Sequence, residues 1–507
     1  MFGLSTAWAL TKREEFASTK ITVLDRSPDP GVFPAKDAAS NDSSRIIRTD
    51  YADPAYAALA LEAQVHWRQD GDDDLGGQGR YNQCGLLLGA DDGPLIRDDG
   101  AATGIAYAKK SWVNAMALAN SQGYPLSSIR MLPRRKSVAN ASGTGSGFAD
   151  WAYLNENSGW ADAGAAMKWT YDRVVATGRV EFINGTAERL ETDPDDSRKV
   201  TGARLKDGSV LSAELVIVAA GAWTTSLVDM ANQVAATGQV MGYMKLTPEE
   251  HQRLRDIPVM LNLSSGLFVI PPTKRGILKL GRHAYGYLNP TAVPTPLGGT
   301  PDPAPSKEEK KEEEEGKDEE DKEKKGEDDG EEAGEEEDDD GASTPTNKKS
   351  NGDAATTTTA TTTTTTISRP FTHLDDAKVR VPAEGEEDLR RGLRAMMPWP
   401  ELQERPFAGT RLCWYTDTAT GDWIIDYHPD YRGLFLATGG SGHGFKFLPV
   451  IGDKIAGCVA GAYPPEFRDK WRWRTDRDVD KVVATEDGSR GGKPGLVLQE
   501  LLAQGKK

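Results

Sequence analysis

The chain has 507 residues and a formal net charge of -17 at pH 7, but 22 acidic against 7 basic residues between Lys307 and Asp340 supply -15 of that charge. The remainder is nearly neutral and has no basic stripe to neutralise phosphates, which excludes the usual kind of nucleic-acid-binding protein. The three cysteines are widely spaced, which favours a reducing compartment and gives neither a disulfide framework nor a metal site. The sequence has no apolar run of about 18 residues and no secretion signal, so nothing in it indicates a membrane or secreted protein.

The first residues predict the second half of a dinucleotide-binding βαβ unit. We expect a helix over residues 2–10, with Gly3 near its start, and a buried parallel strand over residues 21–25 that ends in Asp25. A glycine-rich helix start can hold a diphosphate, and an acid at this strand end can accept ribose hydroxyls. The first strand of such a unit and the first two glycines of its GxGxxG motif would lie before residue 1, and this sequence does not contain them. Standing alone, such a fragment more often indicates an ordinary helix and strand.

Residues 41–51, NDSSRIIRTDY, carry the arginine pair Arg45 and Arg48. One guanidinium could lie over an anionic ligand while the other serves a structural pair. Two solvated arginines are the alternative, and from the sequence alone they are the more frequent outcome.

A second, more antiparallel domain is expected downstream. Residues 53–70 predict a helix from apolar residues at helical spacing. Near Tyr81, the run YNQCGLLLG predicts a strand, and residues 103–118 predict a further helix.

From Asn157 the pattern returns to α/β character. Residues 158–178 predict a helix, and RVEFING, which includes Val180, predicts a strand. A hairpin with its turn at Asp207-Gly208 leads into an apolar strand over residues 215–220. This strand runs into the glycine turn Gly221-Ala222-Trp223, and the carboxyl ends of strands in open parallel sheets are where ligands bind.

Residues 240–290 predict further strands of the second domain, with Lys279 and His283 in the stretch KLGRH. In a strand, Lys279 faces away from the flanking leucines. It therefore points either to solvent or into a site.

Residues 291–367 interrupt this pattern. They are Pro/Gly-rich, then low-complexity acidic and lysine-rich, and they end in a Thr/Ala run. Such a composition cannot bury enough apolar surface to offset its ordering entropy, so we expect a disordered insertion within one domain. The fold should resume near Phe371, with a helix over residues 388–397.

Residues 411–452 combine a cysteine, two histidines, a lysine and a glycine-rich turn. They predict two strands joined by a polar turn, with Cys413 in the first, then a buried strand over residues 434–438, the turn TGGSGHGF and a helix from near Leu448. Backbone N–H groups at such a strand-turn-helix junction can face an anion or a polar ring. A lone cysteine in a strand is more often a small buried hydrophobe.

Four of these motifs together, VLD at the strand end, RIIR, AAGAW and SGHGFK, resemble flavin-dependent amine oxidases of the D-amino-acid-oxidase-like superfamily, in that family's chain order. More narrowly, the chain resembles the monomeric sarcosine oxidase and fructosyl amino acid oxidase (amadoriase) group, in its fungal branch. The match covers most of residues 1–290 and 370–465. The resemblance implies an α/β fold with a Rossmann-like FAD-binding domain that lacks its first strand, and an α+β substrate domain on a mostly antiparallel sheet.

The expected domain boundaries follow from this resemblance. The FAD-binding domain would comprise residues 1–75, 157–238 and 409–465, and the substrate domain residues 76–156, 239–290 and 368–408. The disordered acidic and Thr-rich insertion would span residues 291–367, and a C-terminal tail residues 466–507.

The same resemblance implies roles for residues at matching positions. Contacts with FAD are expected from Gly3, Asp25, Ser44, Arg45, Val180, Gly221, Trp223, Cys413, Gly440, Gly442 and Gly444. Catalytic roles are expected for Lys279, His283, His443 and Tyr415. A clamp on the substrate carboxylate is expected from Arg48 and Lys446, and no metal is implied. In the resembled group, the cysteine at the position of Cys413 carries the flavin through a thioether to its 8α carbon, and the lysine at the position of Lys279 helps activate oxygen.

The implied function is an FAD-dependent oxidase of a secondary amine on an amino-acid-like substrate, which gives an imine and hydrogen peroxide with oxygen as acceptor. N-methyl, N-fructosyl and cyclic imino acids all stay open as substrates, although RIIR and SGHGFK favour the sarcosine-oxidase side slightly. The partners expected are the amine and oxygen, without nucleic acid or membrane. We expect a cytoplasmic monomer; the C-terminal QGKK is not the SKL-type tail of a peroxisomal protein.

A hypothesis from another class follows from the missing diphosphate loop. The chain could be a non-catalytic remnant that binds no FAD, or a partner-binding protein that uses the acidic insertion. A third account is a native start about ten residues upstream, the length of the missing strand and turn.

Overall fold

The computed structural model describes residues 1–27, 35–302, 363–377, 379–475 and 483–504. The α-helices are α1 (Phe2–Thr11), α2 (Pro54–Trp67), α3 (Gly104–Ser121), α4 (Arg135–Ala141), α5 (Ala163–Ala176), α6 (Pro248–Leu254), α7 (Ala383–Met396), α8 (Pro400–Gln403), α9 (Leu448–Val459), α10 (Arg468–Trp471) and α11 (Leu498–Gln504). Short 3-10 helices span Glu14–Phe16, Gly77–Gly79, Leu126–Ser128, Gly221–Ser226 and Phe445–Phe447.

The strands are β1 (Ile21–Asp25), β2 (Arg45–Ile47), β3 (Tyr81–Asn82), β4 (Leu86–Ala90), β5 (Ile129–Leu132), β6 (Trp151–Asn155), β7 (Gly159–Ala161), β8 (Val180–Asn184), β9 (Ala187–Asp193), β10 (Asp196–Leu205), β11 (Val210–Ser212), β12 (Val216–Val218), β13 (Ala235–Lys245), β14 (Val259–Asn262), β15 (Leu267–Ile270), β16 (Ile277–Arg282), β17 (Tyr287–Leu288), β18 (Pro290–Pro294), β19 (Thr364–Ser368), β20 (Gly409–Asp417), β21 (Ile424–Tyr427), β22 (Leu434–Thr438) and β23 (Leu496–Val497).

Several helices begin where the sequence supplies capping chemistry. The carboxylate of Asp53 accepts the backbone N–H of Ala55 at 2.8 Å, and Pro54 fills the first position of α2. Thr247 and Glu250 form a capping box at the start of α6. These contacts satisfy N–H groups that have no partner inside the helix.

Two parallel ladders form the α/β half of the molecule. β1 pairs with β8, and β12 pairs with β22, whose other edge carries β21 in antiparallel orientation. A separate three-stranded sheet, β11-β10-β9, contains the predicted hairpin with its turn at Asp207-Gly208. The dinucleotide-type strand and helix at the N-terminus are therefore confirmed as secondary structure.

Helices α1 and α9 pack closely against each other. Ser5 Oγ donates to the Leu448 carbonyl at 2.8 Å and accepts the Gly452 N–H at 2.9 Å. A Cβ on Gly452 would overlap the backbone of Ser5, so the approach of the two helices requires glycine at this position.

A ten-stranded sheet forms the other half. Its strands run in the order β23-β17-β13-β16-β15-β14-β4-β6-β5, with β20 paired to β13 in addition. α7 covers one face through Leu389, Leu393 and Met396, which are buried in the large apolar core. A further small sheet, β2-β7-β3, carries Arg45.

One sequence-based boundary differs from the structure, and one strand pairing was not predicted. Residues 158–178 were expected to form one helix, but their first part is β7, and α5 begins only after Asp162, whose carboxylate accepts the Ala165 N–H at 2.9 Å. The two strands predicted around Cys413 do not pair with each other: β20 joins the ten-stranded sheet and β21 the parallel one. The local sequence pattern predicts where a strand lies but not which strand it pairs with.

The ends of the predicted insertion are ordered. β18 and β19 pair in antiparallel orientation, with Pro294 opposite Thr364. The expectation of disorder for all of residues 291–367 is therefore wrong at both ends, because a threonine run has the β-branched side chains that favour strands. Residues 303–362 lie outside the described residues.

Among the helices in the described part of the chain, none has the length and apolar character needed to cross a membrane.

Candidate active site

Strand β13 brings two of the predicted site residues together at the centre of the ten-stranded sheet. Cys413 on β20 lies opposite Gln239 of β13, and Lys279 on β16 lies opposite Tyr243 of the same strand. Cys413 is fully buried and Lys279 is 1% exposed. The lysine therefore points into the molecule and not to solvent.

Arg45 reaches Cys413 from β2. Its Nη2 lies 3.2 Å from Cys413 Sγ, and the same guanidinium contacts the carboxylate of Asp42 and the carbonyl of Ala39. A guanidinium at this distance stabilises negative charge on sulfur. Arg48 is also buried, so the alternative of two solvated arginines is wrong.

Asp42 lies at the centre of a buried charge network. Its Oδ2 accepts from Lys279 Nζ at 2.7 Å, and the Tyr243 hydroxyl donates to its Oδ1 at 2.8 Å. Lys279 Nζ also donates to the Ser44 carbonyl at 2.8 Å. One carboxylate thus faces two cations, Lys279 and Arg45.

This network sets the charge on Lys279. Burial and the neighbouring Arg45 lower the pKa of Lys279 to about 8, although Asp42 opposes the change. Burial alone would raise the pKa of Asp42, but Arg45 and Lys279 hold it well below its ordinary value. Asp42 is therefore a permanent anion, while Lys279 can lose its proton in the weakly alkaline range.

A polar cavity of about 810 Å³ opens beside the network. Its lining includes Asp42, Tyr243, Arg275, Arg380 and Arg411. Asp42 thus lines the cavity and also contacts Lys279.

Arg48 and Lys446 meet around the ring of Tyr51. Lys446 Nζ donates to the Tyr51 hydroxyl at 2.8 Å, and the Arg48 guanidinium lies 4.8 Å from the centre of the Tyr51 ring. Within the described residues neither cation forms an ion pair, and Arg48 Nη1 has no hydrogen-bond partner. Burial and the positive charge of Arg48 lower the pKa of Lys446 well below 10.5.

Asp50 is the acidic residue whose charge acts on both of these cations. Its carboxylate is already occupied by other donors: the Tyr153 hydroxyl at 2.8 Å, the Asn155 amide at 3.0 Å and the Ser158 hydroxyl at 2.7 Å. The positive charge of Arg48 and Lys446 is consequently not balanced by a contacting carboxylate.

His443 continues the hydrogen bonds of Lys446 and Tyr51. The Tyr51 hydroxyl lies 2.9 Å from His443 Nδ1, and His443 Nε2 lies 2.8 Å from the Gly421 carbonyl. A carbonyl oxygen can only accept, so Nε2 carries the proton and Nδ1 accepts from Tyr51. Burial and the charge of Lys446 lower the pKa of His443 well below 6.5, and the ring is neutral.

His283 lies beside a residue from the C-terminal segment. Arg490 Nη1 is 2.9 Å from His283 Nδ1, and Arg490 Nη2 donates to Asp417 at 2.6 Å and to the Ser441 carbonyl at 2.8 Å. The Tyr415 ring centre lies 5.2 Å from the Arg490 guanidinium and 6.0 Å from the His283 ring. Tyr415 and His283 are therefore neighbours, with Arg490 contacting both.

The turn after β22 is held tightly against β20. Ser441 has a φ of 43° and Gly442 a φ of 65°, and the Ser441 N–H donates to the Thr416 carbonyl at 2.9 Å. A Cβ at Gly442 would overlap the ring of Tyr415. The turn needs glycine here both for its backbone conformation and for this close approach.

The same turn touches the start of α1. A Cβ on Gly444 would lie 3.1 Å from the Met1 side chain and 3.3 Å from Phe2, whereas the Cβ position of Gly440 meets nothing within 4 Å. The turn therefore connects the Cys413 region with the N-terminal helix.

The predicted nucleotide contacts gather at that helix start. A Cβ on Gly3 would lie 3.3 Å from Ala219 at the end of β12, and the Arg26 guanidinium lies 4.8 Å from the Trp223 ring. Burial raises the pKa of Asp25, and the N-terminal amine acts against that change. Gly221, with a φ of 56°, opens the 3-10 helix that carries Trp223.

Val180 stands apart from these residues. It pairs with Ile21 at the start of both strands, whereas Asp25 lies at the opposite end of the same ladder. Ligands bind at the carboxyl ends of parallel strands, so the structure does not bring Val180 to the other predicted contacts.

Three predicted site residues carry buried polar atoms that have no hydrogen-bond partner in the described part of the chain. These atoms are Ser44 Oγ, Trp223 Nε1 and Arg48 Nη1. An unpaired buried polar group costs about 1–3 kcal/mol. Each of these three atoms is therefore available for a hydrogen bond to a polar ligand.

Several residues of this site were missed from the sequence. Asp42 precedes Arg45 by three residues and Tyr51 follows Arg48 by three, spacings that could have suggested both. Arg490 lies between glycine-rich turns in residues that were taken for a tail. No local signal could have connected it with His283.

Known proteins resemble this chain over most of its length. Residues 1–315 and 332–457 match the family model described as FAD dependent oxidoreductase. The chain is 32% identical over 499 residues to the amino acid oxidase imqH of Aspergillus flavus, which covers 90% of this chain and 91% of that protein. It is 30% identical over 510 residues to the amino acid oxidase fsqB of Aspergillus fumigatus, with 90% of each chain covered.

A solved structure shares the fold. The modified fructosyl peptide oxidase from Aspergillus nidulans matches with a TM-score of 0.71 at 22% sequence identity, and the match covers 98% of this chain and 95% of that one. At this identity the likeness concerns the fold alone.

Proposed function

The chain belongs to the FAD dependent oxidoreductase family, and from this premise we propose that it is an oxidase of a secondary amine on an amino-acid-like substrate, with an imine and hydrogen peroxide as products. Members of the family act on CH–NH groups. The observation that carries the proposal is the pair of buried cations, Arg48 and Lys446, without a contacting carboxylate.

These two cations suit a substrate that is an amino acid. A carboxylate between Arg48 and Lys446 would balance both charges and satisfy Arg48 Nη1. Fixing the carboxylate also fixes the position of the adjacent amine carbon, which is how binding contributes to rate. Tyr51, which contacts both cations, would orient Lys446 for this contact.

The residues fit FAD as the cofactor. Ser44 and Trp223 present buried polar atoms without partners, and the Cβ position of Gly440 faces open space. We propose that Gly3, Asp25, Gly221 and Trp223 hold the nucleotide end, and that Ser44, Arg45 and the turn with Gly440, Gly442 and Gly444 hold the ring. When bound, FAD supplies hydride acceptance from the amine carbon and electron transfer to oxygen.

Cys413 is the proposed attachment point of the flavin, through a thioether to the 8α carbon. The support is the fully buried position of the thiol and its contact with Arg45 Nη2 at 3.2 Å, which fixes the sulfur beside the proposed ring contacts. Arg45 itself is oriented by Asp42.

Lys279 is proposed to stabilise negative charge as oxygen is reduced. A buried ammonium in a fixed position stabilises such charge more than a solvated one. The neutral rings of His283 and His443, together with Tyr415, would line the substrate side as uncharged hydrogen-bonding groups.

The substrate is proposed to be an N-methyl amino acid or a close relative among secondary amines. The relatives imqH and fsqB are amino acid oxidases, and the arginine and lysine of RIIR and SGHGFK are both present. N-fructosyl and cyclic imino acids are the alternatives that a substrate panel would separate.

One purification tests this proposal. The protein is precipitated with acid, and the pellet is inspected for yellow colour before a panel of N-methyl, N-fructosyl and cyclic imino acids is assayed for hydrogen peroxide. We expect a yellow pellet and peroxide from at least one amine class. A colourless protein that stays colourless with added FAD would refute the proposal.

A non-catalytic remnant is the less favoured reading. If no ligand bound, Arg48 and Lys446 would stay buried without a compensating negative charge, and this would not stabilise the fold. If the chain were such a remnant, replacing Arg48 and Lys446 with uncharged residues would stabilise the fold without loss of function.

A further inference from the structure

We propose that Arg490 is a positioning residue of the active site: it holds His283 as a neutral ring with its proton on Nε2, and so makes residues 483–492 part of the catalytic apparatus. The observation is the 2.9 Å contact between Arg490 Nη1 and His283 Nδ1. The role given to the Nε2 proton rests on the proposed function, whereas the state of the ring does not.

Arg490 is held in place through both of its terminal nitrogens, although its Nε has no partner among the described residues. Its side chain is 1% exposed, and Nη2 donates to Asp417 at 2.6 Å and to the Ser441 carbonyl at 2.8 Å. The remaining Asp417 oxygen accepts from Thr237 at 2.5 Å. The guanidinium therefore cannot turn away from His283 without breaking a buried ion pair.

The backbone on both sides of this contact is fixed as well. The Gly491 N–H donates to the His283 carbonyl at 3.2 Å, and the Tyr285 N–H donates to the Gly491 carbonyl at 3.3 Å. A Cβ on Gly491 would overlap the backbone of Ser265 and Gly266. The segment with Arg490 is therefore built against the strand end with His283, at a spacing that only glycine permits.

The chemistry of arginine decides the state of the ring. A guanidinium only donates, so His283 Nδ1 must accept, and a neutral ring then carries its proton on Nε2. A second proton on Nδ1 would face the Arg490 N–H directly. Among the described residues Nε2 has no hydrogen-bond partner, which leaves Nε2–H able to donate to a bound molecule.

The groups around the ring act in the same direction. Burial and Arg490 lower the pKa of His283 well below 6.5, and Arg48, His443 and Lys446 lower it further. Tyr415 faces the ring from β20. Burial and the positive charges of Arg490, Arg48 and Lys446 therefore all oppose the imidazolium.

Ring nitrogen NMR tests this assignment on the purified protein with its flavin. The chain has six histidines, and His283 is identified as the signal lost in His283→Gln. We expect His283 Nδ1 to be unprotonated from about pH 5 to pH 8 in the unmodified protein. A ring that titrates near 6.5, or that carries its proton on Nδ1, overturns the proposal whatever the variants show.

Arg490→Lys and Arg490→Gln are the informative variants, and Lys493→Gln is the matched control because Lys493 is an exposed cation of the same segment. Arginine reaches His283 and Asp417 with two separate nitrogens and lysine has only one, so we expect Arg490→Lys to keep the pair with Asp417 and lose the contact with His283. In both variants we expect His283 to show a mixture of its two neutral tautomers, seen as shifted Nδ1 and Nε2 signals, because burial keeps the ring neutral while no guanidinium then selects the Nε2–H form. At pH 8 kcat should fall about 10- to 100-fold with a smaller change in KM, as for one charge-assisted hydrogen bond.

Unchanged His283 signals in both variants, or equal changes in Lys493→Gln, would contradict the role of Arg490. If Arg490→Gln fails to fold because Asp417 is left unpaired, Arg490→Gln with Asp417→Asn removes both charges together. A protein without amine oxidase activity would refute the proposed function, yet the NMR result would still decide the state of His283.

Discussion

Lys446 is a buried lysine whose charge depends on what it faces. In the structure its Nζ contacts two oxygen atoms, the Tyr51 hydroxyl and the His443 carbonyl, and no carboxylate. Its pKa is lowered by burial and by Arg48, so part of the population is neutral at a pH below 10.5. A carboxylate ligand would reverse this because it favours the ammonium form.

Binding of a carboxylate inhibitor is therefore expected to take up a proton. The uptake should be measurable by calorimetry in two buffers that differ in ionisation enthalpy, and affinity should fall as pH rises because the neutral lysine becomes more abundant. Lys446→Met should abolish the uptake. Binding without proton exchange between pH 6 and pH 10 would contradict this assignment.

Lys279 predicts a second pH dependence, in the rate at which oxygen reoxidises the reduced enzyme. Its pKa is about 8, so the ammonium is present below that pH and is lost as pH rises through it. Reoxidation of the reduced enzyme should slow over the same interval, and Lys279→Met should slow it about 10²- to 10³-fold while substrate binding changes little. Stopped-flow mixing with oxygen measures both.

Lys245→Met is the control for that experiment. Lys245 lies on the neighbouring strand β13 and is exposed, so its loss removes a lysine from the same sheet without touching Asp42. Equal reoxidation rates in Lys279→Met and Lys245→Met would exclude the role given to Lys279.

Cys413 can be tested against a second buried cysteine. Cys413→Ala should leave the flavin extractable by acid, whereas Cys458→Ala, in α9, should leave it attached. Both substitutions remove a small buried side chain, so their effects on stability should be similar, about 1–2 kcal/mol by urea unfolding. Flavin that stays attached in Cys413→Ala would disprove the thioether.

At this scale the sequence identifies residues better than their partners. Cys413, Lys279, Arg48 and Lys446 could be found by motif, but Asp42 contacts Lys279 across 237 positions of chain. A single aspartate in a polar stretch has no local property that indicates such a partner.

Helix α7 shows how an element is fitted to the sheet that carries the site. A Cβ on Gly385 would lie 2.5 Å from the Tyr287 hydroxyl and 2.6 Å from Val240, whereas at Gly392 the nearest atom, on Leu267, is 3.4 Å away. The two glycines of one helix thus meet different surroundings.

Alanine at these two positions should have opposite effects on stability. Gly385→Ala should lower the free energy of unfolding by about 1–3 kcal/mol through overpacking. Gly392→Ala should raise it by about 0.5–1 kcal/mol because alanine favours the helix. Urea unfolding followed by circular dichroism measures both, and changes of the same sign would contradict the packing described.

Elements were predicted more reliably than their assembly. The helices α1, α2 and α3 and the strands β1 and β22 are predicted from the spacing of apolar residues and are confirmed. The pairing of β20 with β13 was not predictable, because the next strand in sequence, β21, has an equally suitable pattern and joins the other sheet. Which strands pair depends on what each strand packs against on both of its faces, whereas a single sequence shows only the alternation of apolar and polar residues.

On the scale of the whole molecule, the long insertion leaves and re-enters the fold at neighbouring points. The Asp302 N–H donates to the Thr364 carbonyl at 2.7 Å, and the Thr295 N–H donates to the Thr363 carbonyl at 3.0 Å. Replacing residues 303–362 with a short glycine linker should therefore close the chain without strain.

This deletion is expected to leave flavin content and kcat unchanged. Residues 303–362 hold 23 acidic and 9 basic residues, so the net charge should change from -17 to -3. The shortened protein should elute earlier on anion exchange and have a higher apparent pI. A glycine-serine segment of the original length serves as control, and lost activity in both proteins would show that the acidic sequence itself is needed.

The contact between Arg490 and His283 also constrains when the site can form. A ribosome adds about 5–20 residues per second, so roughly 20–90 s pass between the synthesis of Arg45 and that of Arg490. During this interval the nascent chain lacks Arg490 and also the edge strand β23, which pairs with β17, and Leu498, which is buried in the large core. A chain that ended after α10 would therefore have neither a complete ten-stranded sheet nor a guanidinium at His283, so the last residues to be synthesised complete the sheet and the proposed site together.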